Sequence, residues 1–169
     1  MKKNNFILIG MPGVGKSTIG ILLAKSLGLN FLDTDVLIQA VYEKSLSQII
    51  AEKGIEGFRK IEEEYIQCLD VSGFVIATGG SAVYYDSAMQ HLKSLGTILY
   101  LYLPLSELRQ RLSDIQKRGV VIESGETLET LYKKRLGLYE KYADQRFDLS
   151  GLNHDQSLRI VAEYCHNLM

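Results

Sequence analysis

Near the N-terminus, Gly10-Met11-Pro12-Gly13-Val14-Gly15-Lys16-Ser17 has the spacing G-x-x-x-x-G-K-[ST]. The chemistry such a segment offers is phosphate binding. Its glycines let the backbone wrap, so that successive N–H groups converge on anion oxygens. Lys16 is placed to reach the β- and γ-phosphates of a nucleotide, and the Ser17 hydroxyl to ligate Mg²⁺. A helix opening behind the loop adds the positive end of its dipole. The plainer alternative is a strand-to-helix turn that is merely rich in glycine. An apolar strand before the loop and a helical pattern after it favour the phosphate site.

Three further clusters carry chemistry. Asp33-Thr34-Asp35 offers two carboxylates, one suited to the water shell of Mg²⁺ and one to a proton from an acceptor hydroxyl. An Asp before Val36-Leu37-Ile38 is also a good helix N-cap. In Gly57-Phe58-Arg59-Lys60-Ile61-Glu62, Arg59 either pairs with Glu62 or Glu63 along a helix face or presents its planar fork to a substrate carboxylate. Thr78-Gly79-Gly80-Ser81 exposes bare backbone, as a tight turn does and as a closely approaching ligand requires.

The elements that must position these clusters alternate in type. Phe6–Ile9, Phe31-Leu32, Phe74–Ala77 and Thr97–Leu103 read as strands, each a continuous apolar run buried on both faces. Helical patterns cover Ser17–Leu27, Val36–Tyr42, Ser47–Glu52, Ile55–Leu69, Asp86–Ser94, a stretch after Pro104, Leu128–Tyr142 and Gln156–His166. Strands separated by helices imply an α/β domain with a parallel sheet. Ligands in such sheets bind beyond the carboxyl ends of the strands, which is where Gly10–Ser17, Asp33–Asp35 and Thr78–Ser81 fall.

Composition removes several classes of function. The 169 residues suit one domain, and 46% hydrophobic with 23% charged residues is ordinary for a globular chain. Nineteen basic against twenty acidic residues leave a net charge of −1, which argues against nucleic acid or a polybasic membrane surface as partner. The apolar stretch Phe6–Ile9 is too short for a signal peptide or a membrane span, so a cytoplasmic protein is expected. Cys68 and Cys165 show neither disulfide nor zinc spacing and read as buried free thiols. A GTPase would carry N-K-x-D, which is absent. Asp70-Val71-Ser72-Gly73 matches D-x-x-G but precedes a strand, as an ordinary turn would.

The order of these motifs, G-M-P-G-V-G-K-S-T, then D-T-D, then F-R-x-x-E, then a strand ending in G-G, resembles shikimate kinase from about Phe6 to Tyr142. That family phosphorylates the 3-hydroxyl of shikimate with ATP and Mg²⁺. The resemblance implies a three-layer P-loop kinase of the nucleoside monophosphate kinase type, with a central five-stranded parallel sheet. It also implies a single kinase domain over 1–169, substrate-binding helices at about 36–70 and a short lid at about 112–126. By motif, Gly13, Val14, Gly15, Lys16, Ser17 and Thr18 would hold the nucleotide, with Arg111 flanking adenine. Ser17 and, through water, Asp33 would hold the metal. Asp35 would act as base, and Arg118 would swing onto the transferring phosphates. Arg59 and Arg135 would clamp the substrate carboxylate, with Gly79, Gly80 and Ser81 beneath its ring. The stretch from Arg109 to Arg118 also suits a solvated face.

This sequence departs from the family pattern at four places. Ser81 stands for a third glycine, Gly119 for the proline after the lid arginine, and Gly137 for the proline of R-x-P-L-Y. No proline stands near Leu152-Asn153-His154. The activity expected is a monomeric shikimate kinase. The alternatives are a kinase of another hydroxy acid or hydroxy amino acid, and a metabolite-sensing module without turnover. Joint retention of Lys16, Ser17, Asp35 and Arg118 speaks for a kinase.

Overall fold

Continuous apolar runs with no exposed face need layers on both sides, and the chain supplies them. A computed structural model describes residues 4–113 and 126–169. Five parallel strands, β1 (Asn5–Ile9), β2 (Asn30–Asp33), β3 (Phe74–Ala77), β4 (Gly96–Tyr102) and β5 (Gln145–Asp148), lie in the order β2-β3-β1-β4-β5. Helices α1 (Lys16–Leu27), α4 (Asp86–Leu95), α5 (Leu105–Ser113), α6 (Leu128–Tyr142) and α7 (His154–His166) accompany the sheet. Central β1 is buried along its whole length, and Ile7, Leu8 and Ile9 are fully enclosed. Each such side chain contributes roughly 1.5–3 kcal/mol of transfer free energy.

The register aligns the functional edge. Leu8 pairs with Ala77 and Ala77 with Asp33, so the ends of β1, β3 and β2 lie in one row. The chain leaving that row forms the phosphate loop, the Thr78–Ser81 turn and the start of α2 (Thr34–Tyr42). The strand order reverses beside β1, and crevices for ligands open at such switch points.

A second, smaller core of Ile38, Ile49, Phe58 and Ile61 binds α2 to α3 (Leu46–Gln67). Within α3, Gly54 departs from helical geometry at φ 72°, ψ 170°, a region essentially confined to glycine. The sequence reading of two helices, Ser47–Glu52 and Ile55–Leu69, is therefore matched by two helical arms meeting at this residue.

One expectation is corrected, and the strand that completes the expected five is located. Cys165 is buried, but Cys68 is exposed, because it caps the last turn of α3 outside the core. β5 is a strand that the apolar pattern does not reveal; only Phe147 of its four residues is buried. Among the described residues no helix is long and apolar enough to cross a membrane.

Candidate active site

The phosphate loop turns on positive φ at Gly10, Gly13 and Gly15, and Gly15 caps α1 with no side chain in the way. Lys16 is buried, and its Nζ donates to the carbonyls of Gly10 at 2.7 Å and Met11 at 3.0 Å. The ammonium is thus held across the loop by two of the loop's own oxygens. Burial lowers its pKa to about 8, against the opposing pull of Asp35 and then Asp33. Arg111 Nη1 donates to the Val14 carbonyl at 3.2 Å, which fixes this arginine on the loop.

Asp33 serves two purposes that the sequence posed as alternatives. Its Oδ1 accepts from the backbone N–H groups of Asp35 at 3.0 Å and Val36 at 3.3 Å, capping α2. Its Oδ2 accepts from the Ser17 hydroxyl at 2.6 Å. Because Asp33 is the cap, Asp35 lies in the first turn of α2 and is not needed to terminate it. Burial, and then the charge of Asp33, raise the Asp35 carboxyl to about 6, while Lys16 pulls it down.

Beneath Asp35 lies a second acid. Glu62 on α3 is buried and raised to about 7, first by burial and then by Asp35. The Ser81 hydroxyl donates to it, and Arg135 and Arg59 also favour its charged form. Gly79 separates the two carboxylates. A Cβ there would collide with Glu62 Oε1 and lie 2.7 Å from Asp35 Oδ1. The Gly79 N–H donates to Thr34 Oγ1 at 3.0 Å, tying the turn to α2.

The two arginines meet at Tyr84. Arg135 is buried, and its Nε donates to the Tyr84 hydroxyl at 3.0 Å. The Arg135 and Arg59 guanidinium carbons lie 5.1 Å and 4.9 Å from the Tyr84 ring centroid. Arg59 is also ion-paired with Glu56 at 2.7 Å. This is an ion pair along the face of α3, made with the residue three positions toward the N-terminus. Gly80 packs on Arg135, where a Cβ would come within 2.7 Å of Nη1, and its carbonyl accepts from Tyr139 at 2.9 Å.

The structure therefore gathers Lys16, Ser17, Asp33, Asp35, Arg59, Gly79, Gly80, Ser81 and Arg135 at one edge of the sheet, with Arg111 on the loop. Thr18 is exposed on the first turn of α1. Arg118 and most of the expected lid, 112–126, lie outside the described residues. Glu62, Tyr84 and Tyr139 are further members of the cluster. Glu62 and Tyr139 each had a signal, as the last letters of F-R-x-x-E and of the R-x-P-L-Y-like stretch Arg135–Tyr139, whereas Tyr84 had none.

The edge brings opposite charges within reach of one another. A cationic loop faces two acids, with a pair of arginines beyond them, which suits transfer from a polyanionic donor to an anionic acceptor. A family model for shikimate kinase matches residues 12–166. A shikimate kinase of Thermodesulfovibrio yellowstonii is 37% identical over 164 residues, covering 95% of this chain and 94% of that protein. One from Histophilus somni is 40% identical over 147 residues, covering 85% and 84%. Among solved structures, a shikimate kinase from Acinetobacter baumannii in complex with shikimate superposes with a TM-score of 0.84 at 31% identity. It covers 97% of this chain and 94% of that one. A thymidylate kinase from Candida albicans, at 17% identity and a TM-score of 0.55 over 98% and 92% of the chains, shares the fold.

Proposed function

The chain belongs to the shikimate kinase family, and we propose that it moves the γ-phosphoryl group of ATP to the 3-hydroxyl of shikimate using the residues gathered at this sheet edge. It is a phosphotransferase with an alcohol acceptor. In this reading Gly13, Val14, Gly15, Lys16, Ser17 and Thr18 cradle the nucleotide phosphates, and Arg111 flanks the nucleotide from the loop. Lys16 exchanges the Gly10 and Met11 carbonyls for phosphate oxygens. Its charge is retained at neutral pH, since its lowered pKa is still about 8.

The Ser17 hydroxyl and Asp33 carboxylate fit Mg²⁺. They are hard oxygen donors in mutual contact, few in number, as suits an ion that keeps most of its waters and takes phosphate oxygens. Ser17 would bind directly and Asp33 through water. Magnesium would neutralise charge on the phosphates.

Asp35 accepts the proton of the acceptor hydroxyl. Its raised pKa of about 6 brings it closer to a working base at neutral pH while leaving it mostly ionised there. Arg59 and Arg135 bind the acceptor carboxylate, and Gly79 and Gly80 lend backbone where a side chain would collide. Ser81 acts on the acceptor indirectly, through Glu62. Arg118, assigned from sequence alone, is proposed for the transferring phosphoryl group. The chain is taken as one kinase domain, with α2 and α3 on the acceptor side and the lid at about 112–126. It is also taken as a monomer acting in the cytoplasm.

The observation that carries this reading is the bridge made by Asp33. Its Oδ2 accepts from the Ser17 hydroxyl of the phosphate loop at 2.6 Å and its Oδ1 from the Asp35 N–H at 3.0 Å, so donor-side and acceptor-side groups are joined in one site. Shikimate-dependent ADP release, run beside a panel of sugar acids and hydroxy amino acids, tests it. Turnover on shikimate is expected. Turnover on a different acid alone would overturn the acceptor assignment, and ligand binding without turnover on any acid would overturn the kinase.

A further inference from the structure

We propose that Tyr84 is the positioning residue of the carboxylate clamp, its ring and hydroxyl holding Arg59 and Arg135 so that both address one anion. The inference rests on the reading of those arginines as the acceptor's carboxylate site.

Two guanidinium groups brought to one small anion repel each other until the anion arrives, and each must keep its planar fork correctly turned. Tyr84 answers both needs. Its ring lies within cation–π range of both guanidinium carbons, at 4.9 Å for Arg59 and 5.1 Å for Arg135. Its hydroxyl accepts from Arg135 Nε at 3.0 Å, which fixes the rotation of that fork. The arginines come from α3 and α6, and both helices pack on the short 3₁₀ turn Ala82–Tyr84. That turn is a firm mount. Ala82 and Val83 are buried, and the Tyr84 N–H donates to the Ser81 carbonyl at 3.0 Å. The same segment thus carries the two substrate-side glycines, the serine on Glu62 and the tyrosine on both arginines.

The test compares shikimate with its uncharged carboxamide as acceptor, in wild type, Tyr84→Leu and Tyr84→Phe. With Leu, KM for shikimate rises roughly tenfold while kcat, KM for ATP and KM for the amide stay near wild type, so the preference for acid over amide collapses. Phe keeps the ring and loses only the hydroxyl that holds Arg135, so it gives a partial loss, with the preference lowered and shikimate KM raised about two- to threefold. A fold defect lowers activity on acid and amide alike. An unchanged acid-to-amide preference in Tyr84→Leu would overturn the proposal. If Leu fails to fold, an unaltered preference and an unaltered shikimate KM in Tyr84→Phe would overturn it instead. Arg59→Lys and Arg135→Lys are measured alongside. A collapsed preference there with none in the Tyr84 variants sinks only the role of Tyr84. An unchanged preference in all of them sinks the clamp as well.

Discussion

The Ser81 hydroxyl donates to the carboxylate of Glu62, and both residues are buried beside the turn that ends β3. The family pattern has a third glycine at this position, so the serine adds a donor as well as bulk. Its φ of −91° needs no glycine, which is why the turn tolerates a side chain here. Removing the donor leaves a buried acid without its hydroxyl partner. Ser81→Ala is expected to lower unfolding free energy by about 1–3 kcal/mol, read by urea denaturation. Equal stability of variant and wild type would show that Glu62 does not depend on this contact.

Glu62 also sets the direction of the pH dependence of stability. Its folded pKa, about 7, stands above the ordinary 4.5, so the folded state binds more protons across that interval. Asp35, raised to about 6, acts in the same sense. Their combined penalty is small near pH 4.5, grows as pH rises, and is fully present above about pH 7. Unfolding free energy is therefore expected to decline between pH 5 and pH 7.5. Glu62→Gln should flatten that decline.

Lys16 contributes with the opposite slope at higher pH. A base lowered from 10.5 to about 8 penalises the folded state below pH 8, and the penalty fades as pH rises to 10.5. Lys16→Met removes a buried charge and the proposed phosphate ligand together. The variant is expected to be at least as stable as wild type in thermal unfolding while losing on the order of 100-fold or more in kcat.

Two glycines make a matched pair of substitutions. Gly79→Ala drives a methyl group into Glu62 and against Asp35, and is expected to reduce kcat/KM for the acceptor by about 100-fold or more. Gly137 stands exposed inside α6 with open space around its Cα. Gly137→Ala should raise stability by about 0.5–1 kcal/mol, with activity kept, in paired denaturation and rate measurements.

Much of this architecture is legible in the amino-acid sequence. β1, β3 and β4 are legible because strands buried on both faces have no polar positions to confuse the pattern. β5 escapes because an edge strand needs little apolar content, and Gln145-Arg146-Phe147-Asp148 has one buried side chain. The phosphate loop is legible because its function and its backbone geometry impose the same local spacing. Asp33 and Asp35 could be assigned two tasks, but only geometry decides which one caps α2. The Ser81–Glu62 and Arg135–Tyr84 contacts span 19 and 51 residues, and no local pattern encodes such pairings. Tyr84 in particular looks like any half-buried aromatic residue until α3 and α6 are packed on either side of it.

In the proposed function, one sheet edge joins an ATP phosphate site to an acid, Asp35, that takes the proton of shikimate's hydroxyl. A rapid-quench single turnover of γ-labelled ATP with shikimate, in wild type and Asp35→Asn at matched ATP occupancy, tests it most directly. Label is expected on shikimate in wild type, with a transfer rate at least about 100-fold lower in Asp35→Asn and ATP affinity unchanged within about twofold. No label on shikimate in wild type, or full transfer by Asp35→Asn, would contradict it.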